Sequence, residues 1–194
     1  PGFYQWVVSF DLNSLYPHLI MQNNISPETL AAYFAMRPED VLSNSAQFQS
    51  VRETALAKDW AICGNGALYR KDKTGFLPEL MEKFYADRKK AKKEMLALEQ
   101  RKENGEKGLE AEISRLNNLQ MALKIALNSA YGALGNKYFR YFDSRAAEGI
   151  TQTGYVAIKW VADKMNAALK KLTGLDKDFV IAMDTDSMYL CLDD

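Results

Sequence analysis

The 194-residue chain predicts an α+β fold, a strand layer interrupted by a projecting pair of long helices, and three observations carry that prediction. Apolar, β-branched runs stand near both ends, Val7-Val8-Ser9-Phe10 and Phe179-Val180-Ile181, and each leads into carboxylate: Asp11 in one case, Asp184 and Asp186 in the other. Between them, two long charged helical stretches flank the breaker Asn104-Gly105-Glu106-Lys107-Gly108, the pattern of an antiparallel αα-hairpin. A third helical stretch from Arg145 to Leu172 repeats apolar residues every three or four positions.

In chain order, Gln5 to Leu12 reads as a buried strand and Leu15 to Gln22 as a short helix that Asn23-Asn24 ends. Residues 31 to 60 are weakly patterned, with a short helix expected after Pro38. Gly64-Asn65-Gly66 between short apolar arms signals a hairpin over Ala61 to Arg70. Asp72-Lys73-Thr74-Gly75 reads as a turn, after which the chain is helical from Pro78 to about Lys102. The second long helix runs from Leu109 to about Ala130, with Ile113, Leu116, Leu119, Leu123 and Leu127 near a coiled-coil stripe. A free-standing coiled coil would leave unexplained the two glycines and aromatic of Asn128 to Asn136, which suggest close backbone approach to something large.

The third helix shows Ala147, Ile150, Gly154, Ile158, Val161, Met165, Ala168 and Leu172 on its core face; Gly174 closes it, and Lys170 and Lys171 suit its C-terminal dipole. Asp178 to Met183 and Met188 to Leu192 then read as a hairpin with acids at its turn.

Composition is ordinary for a globular chain: 47% apolar, 26% charged, zero net charge. No apolar run approaches the roughly 20 residues of a membrane span. Cys63 and Cys191 fit no metal spacing, and two buried free thiols are expected rather than a disulfide. The first residue is Pro1 rather than Met, and we read the chain as a piece of something longer. Zero net charge argues against a nucleic-acid partner, but Arg88, Lys89, Lys90, Lys92 and Lys93 cluster on one helix.

Carboxylates beside apolar strands are costly unless a cation offsets them, and two or three converging on one point are what Mg²⁺-dependent phosphoryl or nucleotidyl chemistry needs. Asp184 and Asp186 share a face in a simple strand and diverge in a tight turn; Asp11 taken alone also reads as a helix cap. Arg88 and Lys92 are four apart on the first long helix, Lys124 and Asn128 four apart on the second. If antiparallel helices turn these pairs inward, four donors meet near one triphosphate. The only histidine, His18, reads as a helix-surface residue.

Three segments together carry a resemblance. Ser9-Phe10-Asp11-Leu12-Asn13-Ser14-Leu15-Tyr16-Pro17 resembles the first polymerase motif of family B DNA polymerases. Lys124 through Gly135, with its Lys-x3-Asn-Ser-x-Tyr-Gly core, resembles the second, and Asp184-Thr185-Asp186-Ser187 the third. Asn24-Ile25-Ser26-Pro27-Glu28-Thr29 and Phe139-Arg140-Tyr141-Phe142-Asp143 point towards the T-even bacteriophage branch.

The resemblance implies a palm, an antiparallel sheet backed by helices, over 1–74 and 137–194, with an inserted fingers hairpin over 75–136. It implies a DNA-directed DNA polymerase acting in replication: addition of dNTPs to a primer 3′-hydroxyl on template DNA. Asp11 and Asp186 would bridge two Mg²⁺ ions (Mn²⁺ a possible substitute), the Leu12 carbonyl completing one and Asp184 supporting. Ser14, Leu15 and Tyr16 would meet the nucleotide, Tyr16 excluding a 2′-hydroxyl. Arg88, Lys92, Lys124 and Asn128 would meet its triphosphate, and Tyr131 and Gly132 the nascent base pair. Thumb, exonuclease and N-terminal domains and a sliding clamp would be its partners, with no membrane; a viral source would imply the host cytoplasm.

Two departures stand out: Ala182 and Met183 occupy positions where the family commonly has Tyr-Gly, and His18 replaces a small polar residue. A catalytically silent nucleic-acid-binding remnant and a reverse-transcriptase-like palm are the alternative readings.

Overall fold

The computed structural model describes residues 2–193. It is α+β, with two three-stranded antiparallel sheets rather than one layer. β1 (Val7–Asp11) forms one sheet with the C-terminal strands β5 (Val180–Asp184) and β6 (Ser187–Cys191), in the order β1-β6-β5. β2 (Leu30–Tyr33), β3 (Trp60–Ile62) and β4 (Ala67–Arg70) form the other, in the order β2-β4-β3.

The two long helices, α4 (Phe76–Glu103) and α5 (Glu110–Leu134), pack as the expected hairpin. Ala91, Met95 and Leu116 are buried between them, and Lys102 pairs with Glu110 at 3.4 Å across the connecting loop. Leu119 lies exposed where a stripe residue was expected, while Gln120 is buried and donates to Asn117 Oδ1 at 3.0 Å. The α5 helix runs through Ala130 to Leu134, so Gly132 sits inside a helix.

α1 (Leu15–Gln22) has the expected bounds, and the turn after it is tied to the start of α4. Buried Asn24 donates to the carbonyls of Arg70 (2.6 Å) and Lys73 (2.8 Å) and accepts from Gly75 N (2.8 Å). Ser26 Oγ and Glu28 Oε1 accept from Leu77 N and Phe76 N, at 3.5 and 2.7 Å. The segment Asn24 to Thr29 thus satisfies donors that the first turn of α4 leaves free.

α2 (Pro38–Leu42) follows Pro38 as expected, but α3 (Ala46–Ala57) is a helix the weak patterning hid. Ser45 caps it, accepting from Phe48 N at 3.3 Å, and Val51 and Ala55 bury its inner face.

α6 (Ser144–Thr173) is the spine joining both sheets. Its early turns bury Ala146 and Ile150 beside Cys63, Ala67 and Tyr69, and its later turns bury Ile158 and Ala162 beside Phe179, Met188 and Leu190. Asp143 caps it, accepting from Arg145 N at 2.9 Å, and Gly174 ends it at a left-handed φ of 74°. The apolar stripe drifts along its 30 residues, so Leu169 packs inward while Ala168 and Leu172 are exposed.

The expectation that the first strand is buried is overturned. β1 pairs with β6 alone, and α6 packs over β5 and β6, so Val7, Val8 and Phe10 stay 37–47% exposed. Cys63 and Cys191 are free and buried, as expected. Among the described residues no helix is long and apolar enough to cross a membrane.

Candidate active site

Antiparallel pairing brings the two acidic segments together from opposite ends of the chain. Asp11, at the tip of β1, faces Ser187 across the β1–β6 ladder, and Leu12 N donates to the Asp186 carbonyl at 2.7 Å. The β5–β6 turn is tight: Asp184 and Ser187 are paired, and Thr185 between them takes a left-handed φ of 48°. The turn separates the acids. Asp186, with Asp11, lines a cleft of about 530 Å³, whereas Asp184 remains an exposed strand residue off its wall.

α1 starts at the cleft floor. Ser14 holds a left-handed conformation (φ 54°, ψ 48°) and no side chain caps the helix. Its first-turn amides are thus left without a side-chain acceptor, and Ser14, Leu15 and Tyr16 are among the residues lining the cleft. His18 lies half-buried on α1; its Nδ1 is 2.9 Å from the Ser14 carbonyl and its ring meets Tyr85 edge-on at 4.8 Å. A carbonyl only accepts, so this contact puts a proton on Nδ1.

The hairpin forms the opposite wall with Arg88 from α4 and Lys124, Asn128 and Tyr131 from α5. Arg88 Nε is buried without a hydrogen-bond partner among the described residues, a donor held ready for an acceptor. Lys92, one turn further along α4, is exposed and does not line the cleft. Gly132 also lies off the wall, and a Cβ added there would meet nothing within 4 Å.

Tyr131 stacks against Tyr16, ring centroids 4.7 Å apart and planes tilted by 46°. Burial pushes the Tyr16 hydroxyl above its ordinary pKa, and Tyr131, Asp186 and Asp184 add to the rise, so it is neutral at pH 7. Sequence reasoning passed over Asn13 and Thr185, which also line the cleft; each sits between motif residues, a signal that was available. Ala182 and Met183 are exposed opposite Tyr189 and Met188, and neither reaches the cleft.

Among the described residues no group of three or more His, Cys, Asp or Glu side chains converges as a metal site. Two carboxylates nevertheless suit Mg²⁺, which is commonly held by one or two carboxylates together with substrate phosphates and water. The residues fit such an ion.

The chain is 35% identical to the DNA-directed DNA polymerase of Enterobacteria phage T4, the match covering 97% of the chain and 25% of that protein. It is 33% identical to that of Escherichia phage RB69, covering all of the chain and 26% of the relative. The solved family B DNA polymerase from Pyrobaculum calidifontis superimposes with a TM-score of 0.61 at 26% identity, over 98% of this chain and 21% of that one. The chain therefore spans about a quarter of the length of these phage relatives. The family model described as "DNA polymerase family B" matches residues 1–193, and the chain belongs to that family.

Proposed function

We propose that the polypeptide carrying this chain is a DNA-directed DNA polymerase acting in DNA replication, and that this chain is its palm (1–74 and 137–194) and fingers (75–136). The observation that supports this reading is one cleft with two carboxylates on one wall and cationic and amide donors on the other. A deoxynucleoside triphosphate lying across it has its phosphates beside Arg88, Lys124 and the uncapped start of α1, and its sugar beside Tyr16.

Asp11 and Asp186 would hold the divalent ions, two Mg²⁺ in this reading with Mn²⁺ as a substitute; the Leu12 carbonyl would be a further ligand and Asp184 a supporting charge. When bound, such ions lower the pKa of an attacking hydroxyl and neutralise a leaving pyrophosphate. Arg88 offers a fork to phosphate oxygens and Lys124 a compact charge, so both stabilise charge that develops away from the primer. Tyr16, neutral and braced by Tyr131, presents bulk to the sugar 2′ position. Tyr131 and Gly132 would meet the nascent base pair, with primer-template DNA as the larger partner. Thumb, exonuclease and N-terminal domains and a sliding clamp belong to the same proposal.

Primer extension with Asp186→Ala tests the assignment: extension should be abolished while primer-template binding stays within about three-fold of the parent. Extension near the parent rate by a folded variant refutes it.

A further inference from the structure

Tyr16 is a partition between two cavities. On one side lies the nucleotide cleft; on the other lies a cavity of about 230 Å³ between α1 and α6. Tyr16 and Thr185 line both, while Thr151, Gly154, Tyr155 and Ile158 of α6 complete the second. Tyr131 stacks on the ring and lines the cleft but not the second cavity, whose volume far exceeds the room one water needs. A close-packed ring has no freedom to retreat, whereas a ring backed by open space does.

Gly154 brings α6 close to this ring. A Cβ added there would stand 3.7 Å from Tyr16 Cε1, in ordinary contact, and 3.3 and 3.5 Å from Leu15 Cδ2 and Leu19 Cδ1. Thr151 stands one turn earlier on the same face, half-buried, its hydroxyl satisfied within α6 by the Glu148 carbonyl at 3.1 Å.

We infer that this α6 wall, through Thr151 and Gly154, sets how far the Tyr16 ring yields to a sugar 2′-hydroxyl, making both of them positioning residues for sugar selection. The inference rests on the proposed reading of Tyr16 as the residue beneath the sugar. Its physical content is slack: the open space lets the ring tilt away from a bulkier sugar, and filling that space removes the escape.

The test is primer extension by the polypeptide that carries this chain, with kcat and KM measured for a dNTP and its ribonucleotide counterpart. Gly154→Ala and Thr151→Leu each narrow the cavity and should raise the preference for the deoxynucleotide by about five-fold, somewhat below the roughly 10- to 200-fold that one methylene commands in a fitted pocket. The change should fall on KM for the ribonucleotide and disappear when Tyr16→Ala is added, as coupling through that ring requires. Should Gly154→Ala fail to fold, because it crowds Leu15, Thr151→Leu decides alone.

A preference within two-fold of the parent, or an equal shift in the Tyr16→Ala background, overturns the inference and leaves the sugar-facing role of Tyr16 intact. If Tyr16→Ala itself leaves the preference unchanged, the sugar-facing role fails and takes the inference with it.

Discussion

The two sheets of this chain are built on opposite terms. In the β2-β4-β3 sheet, Ala67, Leu68 and Tyr69 are fully buried, and the turn before them is pinned to α6: Asn65 Nδ2 donates to the Arg145 carbonyl at 2.8 Å and Gly64 N donates to Thr153 Oγ1 at 2.9 Å. The β1-β6-β5 sheet buries Met188, Leu190 and Cys191 of its central strand, the first two against α6, and its edge strand β1 lies open. Yet the open sheet is the one that carries Asp11 and Asp186. The carboxylates are held by register, and ladder hydrogen bonds set register without enclosing the side chains they deliver. An acid that must meet ions and phosphate cannot be sealed in a core, so it rides on the sheet that packing leaves accessible.

If that division holds, substitutions in the two sheets separate activity from stability. The largest effect belongs to Asp11→Ala: primer extension should fall by at least about 10³-fold, roughly 4 kcal/mol of transition-state stabilisation. Stability should change by less than about 0.5 kcal/mol, because the side chain is exposed at the tip of β1. Rapid-quench kinetics beside chemical denaturation would show both. A destabilised Asp11→Ala variant breaks the comparison, since the open sheet would then depend on its acids for folding.

The converse is Asn65→Ala in the buried sheet. Asn65 is 1% exposed and serves two backbone groups, donating to the Arg145 carbonyl and accepting from Ala67 N at 3.2 Å. Truncation strands both partners where water is scarce, and each stranded group costs about 1–3 kcal/mol. We expect a loss of about 2–4 kcal/mol in denaturant unfolding, with residual activity in proportion to the folded fraction. A fall in specific activity without a fall in stability would place Asn65 in the chemistry and erase the contrast.

This contrast also explains what the sequence could and could not show. Strand ends, helix α1 and the αα-hairpin follow from local pattern and breakers, and local pattern is printed in the sequence. The exposure of β1 is not: Val7-Val8-Ser9-Phe10 reads as core, and only the knowledge that α6 packs over β5 and β6 reveals an uncovered edge. α3 was hidden because Gln, Ser and Thr dilute its apolar face, although Ser45 is an ordinary cap signal. Asn24 to Thr29 was legible as a family signature but not as the cap of α4, because its partners lie about 50 positions away. For the cleft, residue types and spacing named the acids and the cationic wall, the family resemblance added Ser14, Leu15, Tyr16 and Tyr131, and the tight turn at Thr185 decided which of two acids faces it.

Arg88 and Lys92 sharpen the comparison on the cationic wall, where sequence spacing treats them alike. Arg88→Ala removes a partly buried guanidinium whose Nε has no partner among the described residues. Its loss should raise KM for dNTP by about 10- to 100-fold, the value of a charge-assisted contact, with primer-template affinity little changed. The size of that effect should survive added salt, because a half-buried contact is weakly screened.

Lys92→Ala should do far less, although Lys92 stands only four residues on. One helical turn carries it about 5.4 Å along the α4 axis, off the cleft wall and into solvent. From there it acts on a triphosphate through water, over a distance comparable to the screening length of about 8 Å at physiological salt. KM for dNTP should rise by less than about three-fold, and the rise should vanish as salt is increased. A salt-insensitive rise of ten-fold or more would mean that Lys92 touches phosphate in the working enzyme. The hairpin would then have to swing towards the acidic sheet when nucleotide binds, bringing a second turn of α4 onto the cleft. In that case the cationic wall would be a moving part, with Arg88 and Lys124 standing in place beforehand.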